Sequence, residues 1–235
     1  MLLPINTSVI AINYGVRVST KGWPVHTTQF SCFKLAIAPG VPSSHLSALL
    51  ALQRAEEPEV IIAFFEITGD ELAAGLREGR YDAGLSLQES NDPSLKGRPL
   101  WSESLAVAMP LKRPFLDKGK VTIAELLSQP VFRWEAENCP LLDQRLSSFM
   151  PADEQHTQQV TSFEMMALWV AAGYGVGVSA QSRIERAHGW GICMRPLADG
   201  PYEIVTHLQQ PAEQANPVSE RFERRALKVA KDGAV

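Results

Sequence analysis

Main-chain amides, more than side chains, are the groups in this sequence best placed to do chemistry. Three stretches have the form of a strand handing over to a helix: Pro39-Gly40-Val41, Thr68-Gly69 and Asn138-Cys139-Pro140. Each offers unpaired N–H groups and the positive end of a helix dipole, which suits a carboxylate or another small anion. Glycine at positions 40 and 69 lets a ligand approach the backbone closely, although plain turn geometry explains either glycine equally well. Trp134 could stack on a planar ligand, and a tryptophan serving only the core is at least as good a reading.

Side-chain catalysts do not assemble in the same way. His26, His45, His156, His188 and His207 are scattered, with no His or Cys at ligand spacing, so no metal site is expected. There is no Gly-x-Ser-x-Gly elbow and no P-loop. Gly173-x-Gly175-x-Gly177 follows a helix instead of opening one, which removes the dinucleotide reading. Glu135 and Glu137 lie two apart near the expected cleft; surface charge is the plainer account, and Glu135 facing a ligand the sharper one. Cys139 and Cys193 read as two small buried hydrophobes before they read as a redox pair. No catalytic residue and no cofactor are expected, and the chain is read as a non-enzyme.

The elements that would position these groups follow from the apolar pattern. Six apolar residues, Val60 to Phe65, predict a strand buried on both faces, as in parallel sheets. Thr68 or Asp70 can cap a helix carrying Leu72, Ala73 and Leu76, Gly79 closes it, and Asp82–Leu87 opens another strand. Phe33–Ile37 alternates as a strand and leads through Pro39–Ser44 into a helix with Leu46, Leu49 and Leu50 on one side. The result is β-α-β-α-β, half of an open doubly wound sheet.

Farther on, Leu100–Met109 predicts a crossing strand, and Thr122-x-x-Glu125 a capping box. Val131–Trp134 is a strand. Pro140 opens a helix with Leu142, Leu146 and Phe149 inward. Ser162 caps a helix that is apolar nearly all round through Met165, Leu168 and Trp169, hence a buried one. Val176–Ser179, Met194–Leu197 and Tyr202–Leu208 are late strands. A final helix runs from Pro217 to Val229, with Phe222, Ala226 and Val229 inside and a basic outer face of Arg221, Arg224, Arg225, Lys228 and Lys231.

Composition sets limits on partners. The 235 residues carry a net charge of −4, with 45% hydrophobic and 20% charged residues, so nothing global favours nucleic acid. Three cysteines, few and far apart, suit a reducing cytoplasm. No apolar run approaches the roughly 18 residues of a membrane span, and residues 1–32 lack the basic start and apolar core of an export signal. Within residues 1–32, Ser8–Asn13 and Gly15–Ser19 read as a short hairpin or edge strands, followed by loop.

Glu66, Thr68-Gly69, Leu72, Leu76, Glu78-Gly79, Asp82 and Ala83-Gly84 together resemble the effector-binding domain of LysR-type transcriptional regulators. The run Ala171-Ala172-Gly173-x-Gly175-Val176, followed by a small-residue strand, is a second such phrase, and the likeness extends from about Phe33 to about Val229. The resemblance implies two Rossmann-like lobes joined by crossing strands, of the periplasmic-binding-protein type II kind. Residues 1–32 would be an extension, 33–106 with 206–231 lobe I, and 107–205 lobe II. It implies a small-molecule effector, an organic acid, held between the lobes. Gly40, Val41, Ser43, Thr68 and Gly69 would contribute from lobe I, Trp134, Pro140, Leu142 and Phe163 from lobe II, and Val178 and Ser179 from near the hinge. It also implies a homodimer or higher homo-oligomer, the helix around 45–56 packing on a strand of the partner's second lobe. DNA would be reached through a helix-turn-helix domain, and no such motif is visible in this sequence. Of other classes, a solute-binding protein of the same fold would need export, and an enzyme would need an acid, base or nucleophile constellation.

Overall fold

A computed structural model describes residues 32–111, 119–134, 139–149, 157–213 and 216–232, the side chains of Ser43, Ser44 and Pro140 excepted. The hairpin expected within residues 1–31, the pair Glu135 and Glu137, and Asn138 lie outside the described residues. Along the chain run β1 (Cys32–Ile37), α1 (Ser43–Glu56), β2 (Ile61–Glu66), α2 (Gly69–Arg77), β3 (Ala83–Ser86) and the long β4 (Leu95–Pro110). Then come α3 (Ile123–Leu126), β5 (Val131–Trp134), α4 (Pro140–Phe149), β6 (Thr157–Val160), α5 (Phe163–Ala171) and β7 (Val176–Ala180). The last elements are α6 (Gln181–Arg186), a 3-10 turn at His188–Trp190, β8 (Ile192–Pro196), β9 (Glu203–Pro211) and α7 (Pro217–Asp232). Two compact units result. Unit 1 takes the chain up to Pro39, Ser47–Arg98 and from His207 onward; unit 2 takes Gly40–Leu46 and Pro99–Thr206.

In unit 1, β1 lies between β2 and β3 and is parallel to both, and β9 pairs antiparallel with β3. This is the strand–helix–strand arrangement expected from the apolar runs and the caps. Thr68 Oγ1 accepts from the Glu71 N–H at 3.4 Å, and Gly79, with φ +68°, ends α2. Leu72 and Leu76 are fully buried with Ala36, Ala38, Ile67, Tyr81 and Leu95. Gly84 lets α2 lie close on the sheet, since a Cβ there would meet Leu72 Cδ2 at 2.6 Å. One expectation fails: β2 is not buried on both faces. It is the outer strand of the sheet; Ile61 is 47% exposed and Ile62 to Phe65 are half-buried.

The buried face of α7 carries Phe222 and Ala226, as expected, but Arg225 is buried with them instead of facing outward. Its guanidinium donates to Glu56 Oε2 at 2.7 Å, Glu57 Oε2 at 2.8 Å and Gln53 Oε1 at 2.9 Å, all at the end of α1. Arg221 bonds the same Glu57. Burial alone would raise the Glu57 pKa. Hydrogen bonds from Gln53, Arg221 and Arg225, with the Arg225 charge, outweigh it and hold the carboxyl below its usual value.

In unit 2, β5 lies between β6 and β7, parallel to both; β4 pairs antiparallel with β7 on one side and β8 on the other. The capping box at Thr122 and Glu125 forms, and Ser162 caps α5 by accepting from the Met165 N–H at 3.1 Å. Phe163, Met166, Ala167 and Val170 pack against Ala106, Ala108, Phe132, Ile184 and Ile192. The rest of α5 departs from expectation: Leu168 is 61% exposed, and Met165 and Trp169 are exposed too. Phe149 on α4 also faces outward, whereas Leu142 and Leu146 are buried. The elements β6 and α6 have no counterpart in the sequence reading. Both are short, and β6 is mostly polar.

Two measurements check this packing. Glycine to alanine within a helix normally gains up to about 1 kcal/mol. At Gly75, however, the new Cβ would stand 2.2 Å from Cε2 of the buried Tyr81 ring, and such overpacking costs about 1–3 kcal/mol. Gly75→Ala is therefore expected to lower the chemical-denaturation midpoint; a raised midpoint would show that Tyr81 moves aside freely. The stabilisation from Glu57 is fully present above the ordinary value of 4.5 and is lost as pH falls through the lower folded value. Melting curves from neutral pH down to about pH 3 should accordingly fall less steeply for Glu57→Gln than for the unaltered chain. Glu57→Leu, which strips a partner from buried Arg225, should cost about 3 kcal/mol or more.

Candidate functional site

Gly40 turns the chain out of β1 with φ +95°, a conformation that side chains disfavour, so glycine is required there. Its carbonyl is turned toward α6, where Arg183 Nη2 donates to it at 2.8 Å. The same guanidinium reaches Ser179 Oγ from Nη1 at 3.4 Å. It also lies over two aromatic faces, 4.5 Å from the Trp134 ring centroid and 5.6 Å from that of Phe163. Four of the residues singled out in the sequence, drawn from four distant stretches, thus gather on one side chain of unit 2. Arg183 was not among them. Its signal was weak: α6 has six residues, no side-chain cap and Ile184 as its buried residue.

Why these four converge follows from the sheet. Ser179 is fully buried near the end of β7, and Trp134 is the last residue of the parallel neighbour β5. Phe163 begins α5, and α6 starts directly after β7, which brings Arg183 back along the strand ends. Ligand groups gather at such carboxyl ends in open α/β sheets. Val178 and Leu142 are buried in unit 2, and Val41 is buried beside Gly40. The side chains of Ser43 and Pro140 lie outside the described residues.

Thr68 and Gly69 belong to unit 1. The Thr68 hydroxyl is engaged in capping α2, whose first turn carries the acidic Asp70 and Glu71. A Cβ on Gly69 would meet Gln88 Oε1 at 3.1 Å, and the Gln88 carbonyl in turn accepts from Gln209 Nε2 at 2.7 Å.

Unit 2 holds one more polar group of interest. His45 stacks on Trp101 with centroids 5.1 Å apart and lies 3.8 Å from Glu103 Oε1, while Ser182 donates to Glu103 Oε2 at 2.6 Å. Ser182 and His45 both address the Glu103 carboxylate. Cys139 and Cys193 are buried and free, and burial pushes the Cys193 thiol pKa up against the lowering effect of the Arg195 charge. Among the described residues no group of His, Cys, Asp and Glu is arranged to hold a metal ion, and no helix is long and apolar enough to cross a membrane.

Residues 32–231 match the model of the LysR substrate binding domain. The chain is 27% identical over 147 residues to the probable cat1 operon transcriptional activator of Acinetobacter lwoffii, covering 61% of this chain and 48% of that protein. To the hydrogen peroxide-inducible genes activator of Pectobacterium carotovorum subsp. carotovorum it is 22% identical over 196 residues, 82% of this chain and 64% of that one. The chain therefore spans between about half and two-thirds of the length of these two regulators. A solved structure of the BenM effector binding domain with its effector benzoate superimposes with a TM-score of 0.72 at 18% identity, covering 87% of this chain and 95% of that one. The fold is that of such effector-binding domains, the type II periplasmic-binding-protein-like α/β fold.

Substitution at the two glycines separates their roles. Gly40→Ala forces an L side chain into a left-handed conformation and should cost about 1–2 kcal/mol in denaturant titration. Gly69→Ala meets the far end of the exposed Gln88 side chain and should lose little. Equal losses at both positions would show that the Gly40 conformation is not held by the fold.

Proposed function

Because the chain belongs to the LysR substrate-binding-domain family, we propose that it is the effector-sensing part of a transcription regulator and takes up a small organic anion. The observation that carries this is the convergence of Gly40, Trp134, Phe163 and Ser179 on Arg183, which puts a cation and aromatic faces at strand ends. Gly40, Val41, Ser43, Thr68, Gly69, Trp134, Pro140, Leu142, Phe163, Val178 and Ser179 are the ligand contacts proposed. Residues 33–106 with 206–231 and residues 107–205 act as the two lobes. The role is non-enzymatic and cytoplasmic. DNA is contacted by a helix-turn-helix domain outside these 235 residues.

Signalling works through oligomer geometry: a ligand shifts the balance between two arrangements by no more than its differential affinity for them. The pairing proposed is a homodimer with α1 of one subunit against the second lobe of its partner. The exposed apolar side chains of Leu168, Met165 and Trp169 on α5 support a partner surface.

Thermal shift with a panel of aromatic and aliphatic organic acids tests the reading. A ligand present at 100 times its Kd stabilises the folded state by about 2.7 kcal/mol. At least one acid should raise Tm by several degrees. A flat response to all of them at millimolar concentration would remove the sensor function.

A further inference from the structure

We infer that unit 2 contains a binding site for one buried water molecule, where β4 and β9 run side by side, with the Trp101 indole N–H and the Thr206 hydroxyl as its protein partners. Trp101 is 5% exposed and Thr206 is fully buried. Among the described residues, neither Trp101 Nε1 nor Thr206 Oγ1 has a hydrogen-bond partner. Buried polar groups are nearly always bonded, because an unpaired one carries the full cost of its desolvation. Two of them on neighbouring strands are met most simply by one shared partner.

The strands bring the two side chains together. β4 and β9 are neighbours in the sheet, and the Leu105 N–H donates to the Tyr202 carbonyl at 2.7 Å. At the other end the Ala212 N–H donates to the Ser94 carbonyl at 2.8 Å, so the two strands run antiparallel. Counted in step from Leu105 and Tyr202, Trp101 stands opposite Thr206. Burial alternates in the same phase: Trp101 and Leu105 are buried along β4, and Tyr202, Ile204 and Thr206 along the facing segment, which puts them on one face. Side chains directly opposite in an antiparallel pair have Cβ atoms about 5 Å apart. That spacing suits a bridge of one water.

The donors and acceptors match as well. An indole N–H can only donate, whereas a threonine hydroxyl both donates and accepts. Water accepts from Trp101 and exchanges either kind of bond with Thr206, which reaches the two partners that a buried water needs. The indole is held in place by the His45 ring, stacked on it with centroids 5.1 Å apart. Glu103, the next side chain on that face of β4, accepts from Ser182 at 2.6 Å. Pro99 and Thr206 are the first and last residues of the long stretch of unit 2, so the bridge fastens the two strands where they enter it.

A crystal structure of the full chain, at a resolution that shows ordered water, should place a water within about 2.7–3.2 Å of both atoms. A protein partner on either atom, or no water beside them, overturns the inference. Thr206→Val, close to threonine in shape and without the hydroxyl, gives a second reading whose sign decides. Where a water bridges, the variant leaves the buried Trp101 N–H without its partner, and the urea midpoint should fall by roughly 0.3–1 M. Where the hydroxyl is merely unpaired, its removal lifts a penalty; a midpoint that holds or rises therefore overturns the inference. Neither outcome bears on the sensor reading.

Discussion

A guanidinium taken out of water must be given partners, and unit 1 is built around meeting that demand. Moving an ion into a protein interior costs several kcal/mol, recovered only when its hydrogen bonds are completed. Arg225 is buried, and the groups that complete it, Gln53, Glu56 and Glu57, all stand on the last turn of α1 or just beyond. The end of α1 is thereby fixed to α7, whatever the propensities of the intervening sequence. The start of the same segment is governed by a second arginine: Arg183 holds the Gly40 carbonyl three residues before α1 begins. One segment of chain is therefore tied at each end by an arginine, in unit 2 at Gly40 and in unit 1 at Gln53–Glu57.

That arrangement explains how a loop residue such as Gly40 is held in one conformation. Loops are ordinarily the variable and mobile part of a fold, and precise chemistry needs them anchored. Here the left-handed turn is imposed by glycine, and the carbonyl it exposes is captured by a side chain whose own position is set by two aromatic faces. Phe163 and Ile184 bring their elements into the same core, so α5 and α6 cannot shift independently of it. The orientation of Arg183 is thus inherited from the packing of unit 2.

Much of the scaffold was legible from residue pattern. The strands β1, β2 and β3, the helix between β2 and β3, its Thr68 cap and its Gly79 terminus follow from rules local to a few residues. The capping boundaries at Thr122 and Ser162 were legible for the same reason. What resisted is whatever depends on order in space. Six apolar residues in β2 say that the strand is hydrophobic and cannot say that it ends the sheet with one neighbour. An all-round apolar α5 reads as buried, yet Leu168 and Trp169 face outward, because the pattern cannot distinguish a core face from an outward one. Arg225 looked like one more residue of a basic stripe, since its partners lie about 170 positions earlier. Arg183 was invisible for a simpler reason: a six-residue helix has too few turns to show a period.

Fold and family do not carry chemistry with them, and the thiols make the point. A regulator responsive to peroxide, such as one named relative, shares the domain, but the response of a thiol to peroxide requires thiolate and access. Cys193 is buried on β8, and burial raises its pKa further than the nearby Arg195 lowers it, which disfavours both. Cys139 is buried at the start of α4. Cys32 is exposed, at the first residue of β1, where its side chain points away from the core that Phe33 and Leu35 enter. Of the three cysteines, the two in unit 2 are thus shielded from an oxidant by burial.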